Sequence, residues 1–582
     1  LFVFLIFISI ISFNCQKEVS YSHLAQGSNS SFISATLQGN IIDENGFAAQ
    51  GVTIRVGNQT VISDSHGYFR IKNALFDANS SFVIAEKDGY FTAYRSFIAT
   101  SGVNNVVIKL TRKNLAGIVN SSTGGAVNFS NGAVIFLPAN GIVNASDGSS
   151  YKGEVSIYAS YIDPTASDIG QTIPGSFMAD DKNNKRVVLA SFGMLAVELL
   201  TSSGEKLQIA SGSMATLTVP IPTSKQTSAP SSISLWYLDE KSGIWKEEGT
   251  AKKDGNNYVG QVRHFSFWNC DLSDPAVTLS MTLHTPGNDP LVYTEVRLTK
   301  EDGMQCVGWT DSMGEISGLV PANENLTLDV LSYPCLNTIY SEKIGPFNSD
   351  ADLGTIKIAN TTAVVTVKGK LLNCNNAPVT NGYAMIFFDN TVRYAAINNT
   401  GDFSVSLTVC PSSPGSLQVI GIDNEAGRQS FPTDVNITSP VTNIGMISTC
   451  GISSDQYINY TLDGKDHSIN SSANDSLIAY SYPTLSNPPM QTGIMGMHGT
   501  ADYIDFRYDH NGSAGQFPLS KLFVQSYDSL VTLVQPFNIT ITDYPQNVGE
   551  YYQGSFSGKF TTYATGATLH SIDCSFRVRR LQ

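Results

Sequence analysis

The amino-acid sequence predicts an all-β chain, a row of small β-sandwiches in an elongated multidomain arrangement. Three observations predict it. From Ala35 onward, turn residues recur roughly every 8–12 positions between short runs. The runs alternate apolar with polar residues, as in Val365-Thr-Val367-Lys-Gly369-Lys-Leu371, Phe537-Asn-Ile539-Thr-Ile541 and Ile572-Asp-Cys574-Ser-Phe576-Arg-Val578. No stretch carries a sustained apolar period of about 3.6 residues with caps. The 582 residues ask for roughly four domains at about 100–200 residues each, and alignment of the turns raises this to five. With 42% apolar residues the chain can bury several cores, which excludes wholesale disorder. A net charge of −14 leaves no basic footprint, which excludes electrostatically driven nucleic-acid binding.

Residues 1–14 open with an almost wholly apolar run that ends at Asn14-Cys15. As a helix the apolar part would reach about 20 Å, short of the ~30 Å hydrocarbon core, so it is expected to be a secretory signal segment. Without an initiator Met or a basic leader, the sequence is expected to begin inside that signal. Ser12-Phe13-Asn14-Cys15 resembles the lipobox of bacterial lipoproteins, departing from it at Asn14, and Gln16-Lys17-Glu18 resembles the charged export tag of Bacteroidetes surface lipoproteins. The resemblance implies acylation at Cys15. Residues 15–34 would then be the lipidated Cys and a flexible tether.

Residues 35–113 are expected to form the first sandwich. Gly39, Asp43 and Gly46 open it, Asp64-Ser-His-Gly67-Tyr-Phe69 forms a hairpin, Lys87-Asp-Gly-Tyr90 follows, and Val106-Val-Ile-Lys-Leu110 closes it. The hairpin has a physical reason: Asp bonds the backbone, Gly accepts positive φ, and the next apolar residue returns to the core. The pattern resembles the carboxypeptidase regulatory-like domain, a transthyretin-like, Ig-like sandwich of about seven strands, and implies a non-catalytic spacer. That family carries Pro where this chain has Ala48. Thr310-Asp311-Ser-Met-Gly314 and Asn398-Asn-Thr-Gly401-Asp-Phe403 repeat the hairpin, predicting sandwiches at 275–359 and 360–449 without the full opening motif. Residues 114–274, with Trp236, Trp245 and the closing Val262-Arg-His264-Phe-Ser-Phe-Trp268, resemble a β-rich extracellular region shared by bacterial surface proteins and cartilage intermediate layer protein. Residues 450–582 make a last β-domain ending in a hairpin over Gly549–Phe560 and Ile572–Val578, and resemble the C-terminal domain of Bacteroidetes lipoproteins.

Chemistry is sparse. Cys306 and Cys335 fall in one repeat and Cys374 and Cys410 in the next, so each pair is a candidate disulfide within its own sandwich. Cys450 and Cys574 flank the last domain and form the third candidate pair, with Cys270 left over. His66 is expected in an exposed turn, and His264 packed among aromatics. His498 and His510 bracket Asp502, Asp505 and Asp509, but an alternating strand splits that group across two faces, and Asp509-His-Asn-Gly512 reads as a turn. Asp43-Glu-Asn-Gly46 reads as a turn rather than a calcium loop. No catalytic, cofactor-binding or metal residue is expected, and no cofactor.

The expected function is that of a non-enzymatic, outer-membrane-anchored surface lipoprotein with a structural, adhesive or ligand-display role. Its partners would be outer-membrane lipid through the acyl anchor and a glycan or surface protein, with no nucleic acid. The alternative is a glycan-binding surface lipoprotein of a polysaccharide-uptake system, stacking sugars on Trp309, Tyr457, Tyr460, Tyr551 or Tyr552. A hydrolase whose residues converge only in the fold is the lesser alternative.

Overall fold

The computed structural model describes residues 32–129, 131–288, 290–301, 304–332, 337–359, 364–389, 391–409, 413–453, 456–470, 475–484, 490–498, 502–524, 531–546, 550–562 and 568–580. Cys15, Cys335 and Cys410 lie outside them. The described residues are strands and turns throughout, apart from a short helix at Ile169–Thr172 and a 3-10 turn at Thr223–Lys225. The all-β tandem-sandwich fold that the alternation predicts is therefore the fold observed.

The first unit has two sheets. One orders Tyr68–Asp77, Phe32–Ile42 and Val103–Lys109; the other orders Gln59–Ile62, Thr53–Val56, Ser81–Glu86 and Ala93–Phe97. The entry strand Phe32–Ile42 runs antiparallel to Tyr68–Asp77 and parallel to the exit strand Val103–Lys109. Alternation sends Leu37, Ile41, Phe69, Ile71, Val83 and Ile108 between the sheets. The third and fourth units repeat this topology. In the third, the second half of Phe267–His284 pairs antiparallel with Glu315–Pro321 and parallel with Ala351–Lys357. In the fourth, Val364–Leu372 does the same with Asp402–Thr408 and Val441–Ser448.

The repeat extends to single hydrogen bonds. Asp64, Asp311 and Asn398 each use Oδ1 to accept two backbone N–H groups of their own turn, from His66 and Tyr68, Met313 and Glu315, and Thr400 and Asp402. The turn glycine, Gly67, Gly314 or Gly401, has φ of 69–78°, and its carbonyl accepts from Ile41, Leu283 or Leu371. The opening motif is also more complete than the sequence suggests. Asn373 Oδ1 accepts from Asn375 and Ala377 as Asp43 Oδ1 does from Asn45 and Phe47. Where the first unit bridges Ile42 to Ala48, the third and fourth bridge His284 to Pro290 and Leu372 to Pro378.

The second unit forms its core around Ile135, Leu195, Leu217, Leu235 and Trp268, with Trp236 and Trp245 in a second cluster that also takes in Phe91 and Tyr94 of the first unit. Its last strand does not stop at the unit's end. Phe267–His284 pairs with Arg186–Leu200 as far as Pro275 and with Glu315–Pro321 from Ala276 onward, so one continuous strand serves two units. The last unit curls one ten-stranded sheet around Ile458, Phe506, Phe556 and Phe576 and ends in the expected hairpin, Tyr551–Thr561 with Leu569–Arg579.

The units do not simply follow one another in a row. The first contacts every other unit. Ser96 donates to the carbonyls of Gly175 and Gly243, Lys109 pairs with Asp168, Thr100 and Gly102 donate to Asp311, Tyr68 stacks on Tyr383 and Tyr394, and Ser65 accepts from Arg579.

Candidate functional site: a buried junction of four units

Among the described residues, a dense set of ionisable and aromatic groups lies where the first unit meets the third, fourth and fifth. Its position follows from strand alternation. Phe69 and Ile71 point into the first sandwich, so Tyr68 and Arg70 point out. In the fourth unit, Gly382–Phe388 and Ser416–Asp423 are apolar on both faces, and Tyr383, Met385, Ile420 and Ile422 form a second cluster with Tyr68 outside that sandwich's own core. Tyr68 lies with its ring centroid 4.1 Å from that of Tyr383 and 5.4 Å from that of Tyr394.

Polar bonds fix the arrangement. Tyr383 donates its hydroxyl to Asp64 Oδ2 at 2.5 Å, while its oxygen lies 3.1 Å from His66 Nδ1. Tyr68 donates to Gln38 Oε1, and Gln38 donates on to the Tyr293 hydroxyl of the third unit, both at 3.1 Å. Arg70 reaches the Ile397 carbonyl. From the last unit, Arg579 Nη2 donates to the Ser65 carbonyl at 2.5 Å, and Gln456 joins Arg579 to Gln50. His66 is only 2% exposed, which corrects the expectation of a surface turn: the outer side of that turn is covered by the fourth and fifth units.

Burial sets the protonation states. It drives His66 well below its ordinary value, with the Arg579 cation adding to the effect. Burial also raises the Asp64 carboxyl, against the opposing pull of Tyr383, two backbone N–H groups and Arg579. Tyr383 is pushed well up by burial and by the neighbouring carboxylate, and Tyr394 to about 12. A phenol held to a half-buried carboxylate beside a neutral imidazole has the parts of a proton relay. Packed rings close the phenol and the imidazole to a substrate: Tyr383 is fully buried and His66 nearly so.

Asp64 and Asp311 share a second role. Each uses Oδ1 for its own turn and Oδ2 to clasp a neighbouring unit, Asp64 accepting from Tyr383 at 2.5 Å and Asp311 from Thr100 and Gly102 at 2.9 Å each. Asn398, in the third copy of the turn, keeps the Oδ1 role.

The remaining candidates separate. His498 faces Asp502 across two strands, Asp505 pairs with Arg507, and Asp509 accepts from Gln491. His510 is buried, with Nδ1 accepting from Gly512 N–H at 2.9 Å, so Nε2 carries the proton and donates to Thr492 Oγ1 at 2.8 Å. Ser481 lies beside this pair, receiving from Thr492 at 2.9 Å, but the imidazole lone pair a general base needs is already used. No group of three or more His, Cys, Asp or Glu among the described residues is placed to hold a metal ion. His264 packs against Tyr237 and Trp268 as expected.

Among the described residues the disulfide formed is Cys374–Cys450, with Cα atoms 4.7 Å apart, so Cys374 is not paired with Cys410, nor Cys450 with Cys574. Pairing by nearness in sequence overlooks that the entry and exit strands of a sandwich are neighbours: Leu372 stands opposite Ser448, two residues before each Cys. Cys306 and Cys574 carry free thiols, and burial pushes both upward, Cys306 to about 11. Tyr551 and Tyr552 are 1% and 0% exposed, which removes them as sugar contacts. Tyr552 faces the sheet's core, and Tyr551 lies under the Arg577 guanidinium and donates to Gln429. Tyr460 is buried as well, while Trp309 keeps 41% of its surface. Sequence reading missed Tyr383 and Tyr394; the signal available was a strand, Tyr-Ala-Met-Ile-Phe-Phe, apolar on both faces.

No family model matches the chain. It is similar to human cartilage intermediate layer protein 2, 25% identical over 124 residues, a match covering 21% of this chain and 10% of that protein. Among solved structures it is similar to a minor pilin of Streptococcus agalactiae (10% identity, 30% of this chain and 97% of that one, TM-score 0.14). It is also similar to a shaft pilin of Lactobacillus rhamnosus (9%, 30% and 98%, TM-score 0.18) and to the major pilin subunit of Bacillus cereus (8%, 72% and 100%, TM-score 0.12).

Proposed function

We propose that the chain is a non-enzymatic surface protein, structural or adhesive, that presents sandwich loops and faces to a partner outside the cell. The observation that supports this reading is how the fold uses its reactive groups. Asp64, His66, Tyr383, Arg579 and Asp311, the residues an enzyme would gather around a substrate, fasten unit to unit. In this reading acyl chains on Cys15 hold the protein in the outer membrane facing outward, and residues 15–31 tether it; the expected tether ended at 34, but Phe32, Ile33 and Ser34 already pair with Asp77, Phe76 and Leu75 in the first sandwich. Metabolic labelling with an alkyne fatty acid, together with protease shaving of intact cells, tests it. Label on the wild type and none on Cys15→Ala is the expected result. Equal label on both, or full protection from shaving, rules out the anchored surface protein.

A second reading, glycan capture, now rests on Trp309. It stands with Val307 on one face of Gln305–Trp309, the outer strand of its sheet, and both are exposed. A glycan array on which Trp309→Ala binds as the wild type does would discard it.

A further inference from the structure

The buried junction is built so that a second proton on His66, on Nε2, has no place in it. Tyr383 has one hydroxyl proton, and at 2.5 Å this belongs to Asp64 Oδ2. At 3.1 Å, therefore, His66 Nδ1 donates to the Tyr383 oxygen, and the lone pair resides on Nε2. Nε2 is buried and has no hydrogen-bond partner. Protonation would create an N–H without an acceptor and a charge without solvent. The groups around the imidazole are Asp64 and Ser65 on its own turn, Tyr68 on the strand that follows, Tyr383 and Tyr394 from the fourth unit, and Arg579 from the fifth. The one carboxylate, Asp64, is engaged by Tyr383 and by two backbone N–H groups, and the one fixed cation, Arg579, opposes a second positive charge.

We propose that the docking of the first unit on the fourth and fifth is an acid-released latch, with His66 as its trigger and the aromatic face of Tyr383 and Tyr394 as the surface it uncovers. This inference is independent of the display reading. The sign follows from linkage. The closed form holds His66 below its ordinary 6.5, so docking is at full strength above 6.5 and weakens as pH falls below it, about tenfold per unit. Asp64 acts in the opposite direction, because its raised carboxyl favours the closed form as pH falls toward 3.8. That contribution persists when His66 is replaced, so comparison with His66→Gln isolates the trigger. Tyr68, Tyr383 and Tyr394 are raised and stay protonated across this range.

Hydroxyl-radical footprinting of the full chain from pH 7.5 to 4.5 reads the latch at Tyr68, Tyr383 and Tyr394. In the wild type, modification of these rings should rise below pH 6.5, the open-to-closed ratio growing by up to about thirtyfold at pH 5.0. Phe69 and Phe403, inside their own sandwiches, should stay protected. His66→Gln should flatten the rise. Rings that stay protected to pH 4.5, or that open with the same midpoint in His66→Gln, overturn the proposal. Should His66→Gln expose Phe69 at pH 7.5, the wild-type profile alone decides: opening of the three rings before the cores supports the latch, and simultaneous exposure of rings and cores refutes it.

Discussion

Gly67 shows how much one backbone position can carry. A Cβ there would lie 2.2 Å from the Ile41 carbonyl oxygen, which accepts from the Ala49 N–H, and φ is 69°. Gly46 has a similar φ of 87°, but a Cβ there meets nothing within 4 Å. Both glycines were legible in the sequence as turn residues, but which could be replaced was not, because the difference lies in a strand more than twenty residues away. Gly46→Ala should cost only the left-handed backbone, about 1 kcal/mol. Gly67→Ala should cost about 2–4 kcal/mol, since the carbonyl cannot retreat without breaking the strand. Calorimetry should place the first unit's transition at least about 10 °C lower for Gly67→Ala, and only about 4–8 °C lower for Gly46→Ala.

The same turn acts at the scale of elements by joining them. Asp311→Asn should leave its own turn intact, as Asn398 does in the fourth unit, but turn an amide toward the Gly102 N–H where a carboxylate oxygen now accepts it. Loss of that bond should weaken the clasp by about 1–3 kcal/mol. Hydrogen exchange should then quicken about fivefold or more at Gly102, while the amides of Met313 and Glu315 stay protected. The Cys374–Cys450 bridge ties the entry strand of the fourth unit to its exit strand across 76 residues of sequence. Replacing both with Ser should destabilise that unit by about 2–4 kcal/mol and leave the melting of the second unit unchanged. The cysteine positions were visible in the sequence. Their partners were not, since parallel pairing of first and last strands brings together residues that spacing sets furthest apart.

For the whole molecule, local order was legible and assembly was not. Alternation and turn chemistry act within about ten residues, and they marked the hairpins and the three repeats. Asp64 and Tyr383 are 319 residues apart, and nothing local in either segment says that they meet. The trace that does survive in the sequence is indirect: strands apolar on both faces must be covered twice. Tyr383→Phe tests what this cover is worth. It removes the donor to Asp64 and the acceptor for His66 while keeping the ring, so the junction should lose about 1–3 kcal/mol and open nearer to neutral pH. Footprinting of Tyr68 in this variant should show its midpoint shifted upward relative to the wild type; an unchanged midpoint would mean that ring stacking alone holds the units together.

The parallel pairing of entry and exit strands has a mechanical side. Tension applied at the two ends of the first, third or fourth unit pulls neighbouring strands past each other, so it loads the whole row of backbone bonds in shear instead of peeling them one at a time. Because Phe267–His284 belongs to two units, load passes from the second to the third along covalent backbone, without a loose linker between them. A chain fixed at one end and pulled at the other should therefore lengthen in two stages, yielding first at the side-chain contacts that fold the units together and only at much higher force within the sandwiches.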